Sequence, residues 1–114
     1  LYLPQAKVYN RCCAIGPCFV TSESIGTVGK LTIRCTIDRD GEEAWRDETP
    51  TSHMARSCEE LADWVQRHNL LPDMATVLTG TAIVPPPEFT LQEGDVVSIT
   101  IDGIGVLKND VMVV

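Results

Sequence analysis

Apolar and polar residues alternate along two stretches of this chain. Leu31, Ile33, Cys35 and Ile37 interleave with Thr32, Arg34, Thr36 and Asp38. A period of two puts the first set on one face, so a half-buried strand is expected there. Val97, Ile99 and Ile101 alternate with Ser98, Thr100 and Asp102 in the same way, and Gly103 with Gly105 permits a tight reversal into Val106 and Leu107. Asp38-Arg39-Asp40-Gly41 predicts a turn toward a partner strand over residues 43–46. The period then changes: Met54, Cys58, Leu61, Ala62 and Val65 recur at helical spacing on one face. Ser57 with Glu60 forms a capping box at the start of this segment, and Asn69 and Pro72 stop it, which predicts one main helix over residues 57–69. Val77-Leu78 reads as the end of an apolar strand, whereas Pro85-Pro86-Pro87 cannot lie in a central one. The expected class is α+β and β-rich, with no repeat, linker or low-complexity tract.

Size and charge narrow the picture. A chain of 114 residues is one domain at most, able to bury roughly 65% of its unfolded surface if it folds alone. Leu1-Tyr2-Leu3 and Val111-Met112-Val113-Val114 are apolar ends without an initiator Met, and chain ends usually lie at a polar surface. The expectation is a piece of a larger domain. Neither a signal-peptide pattern nor an apolar run near the ~20 residues of a membrane span occurs, so a soluble location is expected. A net charge of −7 without any Lys/Arg cluster argues against nucleic acid and anionic membranes as partners. The five cysteines, at 12, 13, 18, 35 and 58, form no Cys-x-x-Cys pair and have no His at zinc spacing. Cys35 and Cys58 read as small buried hydrophobes, while Cys12 and Cys13 are weak candidates for lining a pocket. Free thiols suit a reducing cytoplasm.

Candidate chemistry is concentrated at two places. Thr79-Gly80-Thr81 offers two hydroxyls and free backbone N–H groups at one point, the equipment for holding a carboxylate or another small anion. Lys7 stands within Tyr2-Leu3-Pro4-Gln5-Ala6-Lys7-Val8-Tyr9, an apolar and aromatic setting unusual for a solvated surface lysine. His53, in the polar run Thr51-Ser52-His53-Met54 ahead of the helix, is a weaker candidate. Trp64 and His68 flank the helical stripe and read as packing residues rather than ligands, with His68 structural or solvated. Asp38-Arg39-Asp40-Gly41 is not a calcium loop, because its glycine comes two positions too early.

The lysine segment with Gly16-Pro17, the Thr79-Gly80-Thr81 turn, and the run from Gly94-Asp95-Val96-Val97 to Gly103-Ile104-Gly105 together resemble the fumarylacetoacetate hydrolase family. Its members cleave, dehydrate, decarboxylate or isomerise small α-keto and β-diketo acids on a divalent metal. The resemblance spans nearly the whole chain but only the C-terminal part of the family's catalytic domain, and it implies the mixed β-roll of that domain over residues 1–114. It further implies that Lys7 reaches the active site, that Thr81 contacts the substrate's acid group with Thr79 and Gly80 beside it, and that Tyr2 and Gln5 line the same pocket. The family also tends to bring a polar loop toward its pocket at the position of Thr51-Ser52-His53-Met54.

The metal implied is magnesium, with manganese or calcium as alternatives. The family binds it with a Glu-x-Glu pair and a later Asp upstream of the lysine, none of which can be placed here, so its ligands are expected on an N-terminal half absent from this chain. A homodimer is a common family assembly. Ala82-Ile83-Val84 replaces the Pro-Ala-Gly-Val-Gly run of the hydrolase and isomerase members. With the form of the lysine segment, this points to the members that dehydrate 2-keto-3-deoxy-pentonates. Reactions beside a keto group pass through enolates; Lys7 could stabilise that charge as an ammonium or, desolvated, act as a base. C–C hydrolase, decarboxylase, isomerase and non-catalytic binding module are the alternatives.

Overall fold

The computed structural model describes residues 8–113. Its centre is a four-stranded antiparallel sheet of β1 (Thr32–Arg39), β2 (Glu42–Pro50), β3 (Val96–Ile101) and β4 (Gly105–Asp110), in the order β2-β1-β3-β4. Arg39 pairs with Glu42, so β1 and β2 are joined by Asp40 and Gly41 alone. Both have positive φ, 54° and 84°, the combination a two-residue hairpin needs to match strand twist. The partner strand runs to Pro50, beyond the expected residues 43–46. Its charged sequence hides the extension, because a strand at the sheet edge does not need an apolar alternation. Ile37 pairs with Trp45 and Asp38 with Glu43, so Ala44 is the extra residue of a bulge.

Pairing aligns the apolar sets. Ile33 faces Ile101, Cys35 faces Ile99 and Ile37 faces Val97, while Ile99 pairs in turn with Leu107. Arg34, Thr36, Thr100 and Ser98 occupy the other face. Ile37, 3% exposed, is the one buried hydrophobic among the described residues. Cys35 is half-buried, and its thiol pKa is pushed up by desolvation and by the neighbouring Asp47 carboxylate.

The same inward register continues to Arg39 and Asp95. Arg39 donates from Nε to Asp95 Oδ1 and from Nη2 to Oδ2, both at 2.8 Å, and Nη2 also reaches the Thr90 carbonyl at 2.9 Å. The Gln92 N–H donates to Asp95 Oδ2 at 2.8 Å. This bidentate pair is the strong form of a charged contact. It holds the 1%-exposed Asp95 carboxyl at a pKa of about 2. The Arg39 guanidinium also lies 5.4 Å from the centre of the Phe89 ring, and Phe89 is 6.3 Å from Trp45.

Two helices accompany the sheet, the short α1 (Ser22–Ile25) before β1 and α2 (Cys58–Gln66) between β2 and β3. Ser57 caps α2 by accepting the Glu60 N–H at 3.1 Å. The helix stops short of residue 69. His68 takes a left-handed φ of 63°, and Asn69 Nδ2 donates to the Val65 carbonyl at 2.7 Å, satisfying an end group. Leu61, Ala62 and Val65 are half-buried as the stripe predicts. Cys58 is exposed instead of buried: it occupies the first helical position, ahead of the half-buried part of the stripe. Trp64 is 57% exposed and does not pack inward; its ring carries the Arg67 guanidinium at 4.4 Å.

Candidate functional site

Where β2 ends at Pro50, a 3-10 turn (Thr51–His53) leads toward α2. Thr51 clamps this turn to the segment before β1. Its N–H donates to the Leu31 carbonyl at 2.8 Å, its Oγ1 accepts the Leu31 N–H at 3.0 Å, and the hydroxyl donates to the Val28 carbonyl. A threonine, 9% exposed, with its polar atoms paired in this way fixes the backbone on which His53 rides. The His53 ring is exposed and places Nδ1 3.4 Å from Thr49 Oγ1.

The second wall is Thr79-Gly80-Thr81. Gly80 has φ 88°, a conformation that only glycine adopts readily, and a Cβ built there would meet nothing within 4 Å. The backbone is therefore open to close approach by a ligand. Thr81 Oγ1 accepts the Ile83 N–H at 3.0 Å and lies 3.3 Å from the Ile83 carbonyl. The first contact is a local turn bond; the second is long and leaves the hydroxyl proton exchangeable for a better acceptor. The N–H groups of residues 79–82 make no hydrogen bond among the described residues. Val77-Leu78 forms no strand: residues 75–80 carry no regular structure and no ladder bonds among the described residues, and apolar character alone does not create a strand without a partner edge.

These two walls meet. Ile33, Thr49, Thr51, His53, Met54, Thr79, Gly80, Thr81 and Ile83 line one cleft of about 240 Å³. Two of the sites singled out in the sequence, His53 and Thr79, 26 residues apart, come together here beside Ile33 at the start of β1, where the Thr51 clamp holds the turn that carries His53. His53 is the one ionisable side chain among the described lining residues. Among the described residues no carboxylate lines the cleft, and none of them repels an anion there despite the acidic chain.

Lys7, Gln5 and Tyr2 lie outside the described residues. Cys12 and Cys13 line a separate groove with Val97, Ile99 and Leu107, and His68 sits at the end of α2. Among the described residues no three His, Cys, Asp or Glu side chains are grouped as a metal site, so these residues do not by themselves fit the divalent metal that the resemblance implies. Sequence reasoning placed Thr51 only within a polar run and missed its clamp, and it missed the Arg39–Asp95 pair. Both charged residues share the parity of the inward apolar set, 33-35-37-39 and 95-97-99-101, a signal that each needs a buried partner.

The chain is 56% identical over its whole length to a probable 2-keto-3-deoxyxylonate dehydratase of Haloferax volcanii, of which it spans 39%. It is 43% identical over 94% of its length to a 2-dehydro-3-deoxy-D-arabinonate dehydratase of Saccharolobus solfataricus, of which it spans 36%. The structure of 2-keto-3-deoxy-D-arabinonate dehydratase complexed with magnesium and 2,5-dioxopentanoate superposes with a TM-score of 0.92 at 41% identity, over 96% of this chain and 39% of that one. This chain therefore corresponds to about two fifths of such a protein. Residues 2–112 match the domain described as fumarylacetoacetate (FAA) hydrolase C-terminal, and the chain belongs to the fumarylacetoacetate hydrolase family.

Proposed function

We propose that this chain forms the substrate-binding side of a dehydratase that removes water from a 2-keto-3-deoxy sugar acid. The observation that carries the reading is the convergence of Thr79-Gly80-Thr81 and His53 on one carboxylate-free cleft, in a chain similar to two sugar-acid dehydratases. The N–H groups of residues 79–82, unpaired among the described residues, and the Thr79 and Thr81 hydroxyls are suited to the acid group of the substrate. The family motif implies that Lys7, which lies outside the described residues, acts at the same site. As an ammonium it would stabilise the negative charge developing beside the keto group; as a neutral amine it would take the proton. The same resemblance implies that Tyr2 and Gln5 line that pocket.

In this reading the magnesium found with the arabinonate dehydratase has its counterpart on residues beyond those described, in the remaining three fifths of a protein of that kind. This chain's part is to bind and orient the substrate. The partners are a small keto acid, that metal-carrying portion and a second copy of the protein. Free thiols at all five cysteines suit a cytoplasmic enzyme. No helix among the described residues is long and apolar enough to cross a membrane.

The test is a product analysis. The complete enzyme with magnesium is given a 2-keto-3-deoxy-pentonate and, separately, an acylpyruvate, and products are followed by mass spectrometry. Loss of one water from the first with no cleavage of the second is expected. Cleavage of the acylpyruvate without dehydration would replace this reading by the C–C hydrolase activity also found in the family.

A further inference from the structure

His53 stands on a turn that is unusually well held for a surface loop. Thr51 alone ties it to Val28 and Leu31 through three hydrogen bonds, and Pro50 before it fixes φ at −79°. A ring carried on such a turn is positioned, not merely tethered. Its Nδ1 is near the Thr49 hydroxyl, and Thr49 lines the same cleft. Nε2 has no partner among the described residues, which leaves it for whatever enters the cleft.

The chemistry of imidazole selects the ligand group. A neutral imidazole presents one donor and one acceptor, and the tautomer follows from whichever role Nδ1 takes toward Thr49. A hydroxyl can both donate and accept, so it pairs with Nε2 in either tautomer; a carboxylate can only accept. The hydroxyls and N–H groups of residues 79–82 already suit the acid group. We propose that His53 is a substrate-contacting specificity residue whose Nε2 binds a hydroxyl on the carbon chain beyond the keto-acid end. This rests on the reading of the cleft as a keto-acid site, and it names what distinguishes a sugar acid from a plain keto acid there.

The experiment uses the complete enzyme with its metal and two ligands: a 2-keto-3-deoxy-pentonate, read as kcat and KM, and 2-oxopentanoate, the unsubstituted acid of equal length, read as a competitive inhibition constant. His53→Phe keeps the ring's bulk without its polar atoms. It is expected to lower kcat/KM for the sugar acid about three- to tenfold, the worth of one hydrogen bond, and to leave inhibition by 2-oxopentanoate unchanged. His53→Gln, which keeps a donor and an acceptor, is expected to recover part of the loss. Equal effects on both ligands, or no effect on either, would overturn the assignment of His53 while leaving the cleft reading intact. If 2-oxopentanoate does not inhibit the wild-type enzyme at all, the cleft reading fails and the role of His53 fails with it.

Discussion

Thr81 has two duties in one hydroxyl, and they can be separated. Its oxygen accepts the Ile83 N–H, which supports the turn, while its proton rests on a long contact to the Ile83 carbonyl and is available to a substrate carboxylate. Thr81→Val removes both at nearly constant shape. If the hydroxyl holds the acid group, the variant should cost about 1–3 kcal/mol for a 2-keto-3-deoxy acid, and far less for an analogue carrying an alcohol in place of the carboxylate. Kinetics of both proteins on both ligands form a cycle in which the penalties do not add. Equal losses would leave Thr81 as a turn residue only. The difference between what could and could not be seen in the sequence is clear at this scale. Thr79-Gly80-Thr81 is legible because glycine between two hydroxyls is a local statement. Thr51 is not, because its partners Val28 and Leu31 are set by the fold and leave no mark beside it.

At the level of elements, the strands and the helix were visible where one face had to be buried and invisible where it did not. The alternations that define β1 and β3 and the Ser57 cap of α2 all lie where predicted. The far half of β2 escaped notice because Asp47-Glu48-Thr49-Pro50, at the edge of the sheet, carries no apolar alternation. The clasp between β1 and the loop before β3 gives a pH signature. Hydrogen bonds from Arg39, then from the Gln92 N–H, lower the Asp95 pKa from 3.8 to about 2. A carboxyl with a depressed folded-state pKa binds its proton more readily when unfolded, so its contribution to stability is full above about pH 4 and is lost as pH falls toward about 2. Asp95→Asn removes that charge. Urea unfolding should show the wild type well ahead of the variant at pH 7, with the gap closing between about pH 4 and 2 as Asp95 itself becomes protonated. A gap that stays constant through that window would mean that the pair is not what stabilises the junction.

Taken whole, the molecule does not cover its own apolar surface. A compact protein of 12.5 kDa would expose about 6,200 Å², and this chain exposes 9307 Å². Its radius of gyration is 15.6 Å, against about 13 Å for a compact domain of this length. Leu70, Leu78, Met74 and Phe19 are each at least 70% exposed, and only Ile37 is deeply buried among the described apolar residues. Such a surface suits a chain that spans 39% of the length of the probable dehydratase it resembles, and under the proposed function the metal lies beyond the described residues. The consequence for metal binding is specific. Mg²⁺ needs near-octahedral oxygen ligands and dehydrates reluctantly, so scattered surface carboxylates hold it poorly. All of the chain's Asp, Glu, His and Cys residues lie among the described residues, and no three of them are grouped. The isolated 114-residue chain is therefore expected to bind magnesium or manganese no better than in the millimolar range, and to be inactive on a 2-keto-3-deoxy acid. Calorimetric titration of the isolated chain, beside the complete enzyme, is the check. Micromolar binding of one equivalent by a monodisperse chain would show that the metal centre is built from these residues after all, and the division of labour proposed for the cleft would have to be abandoned.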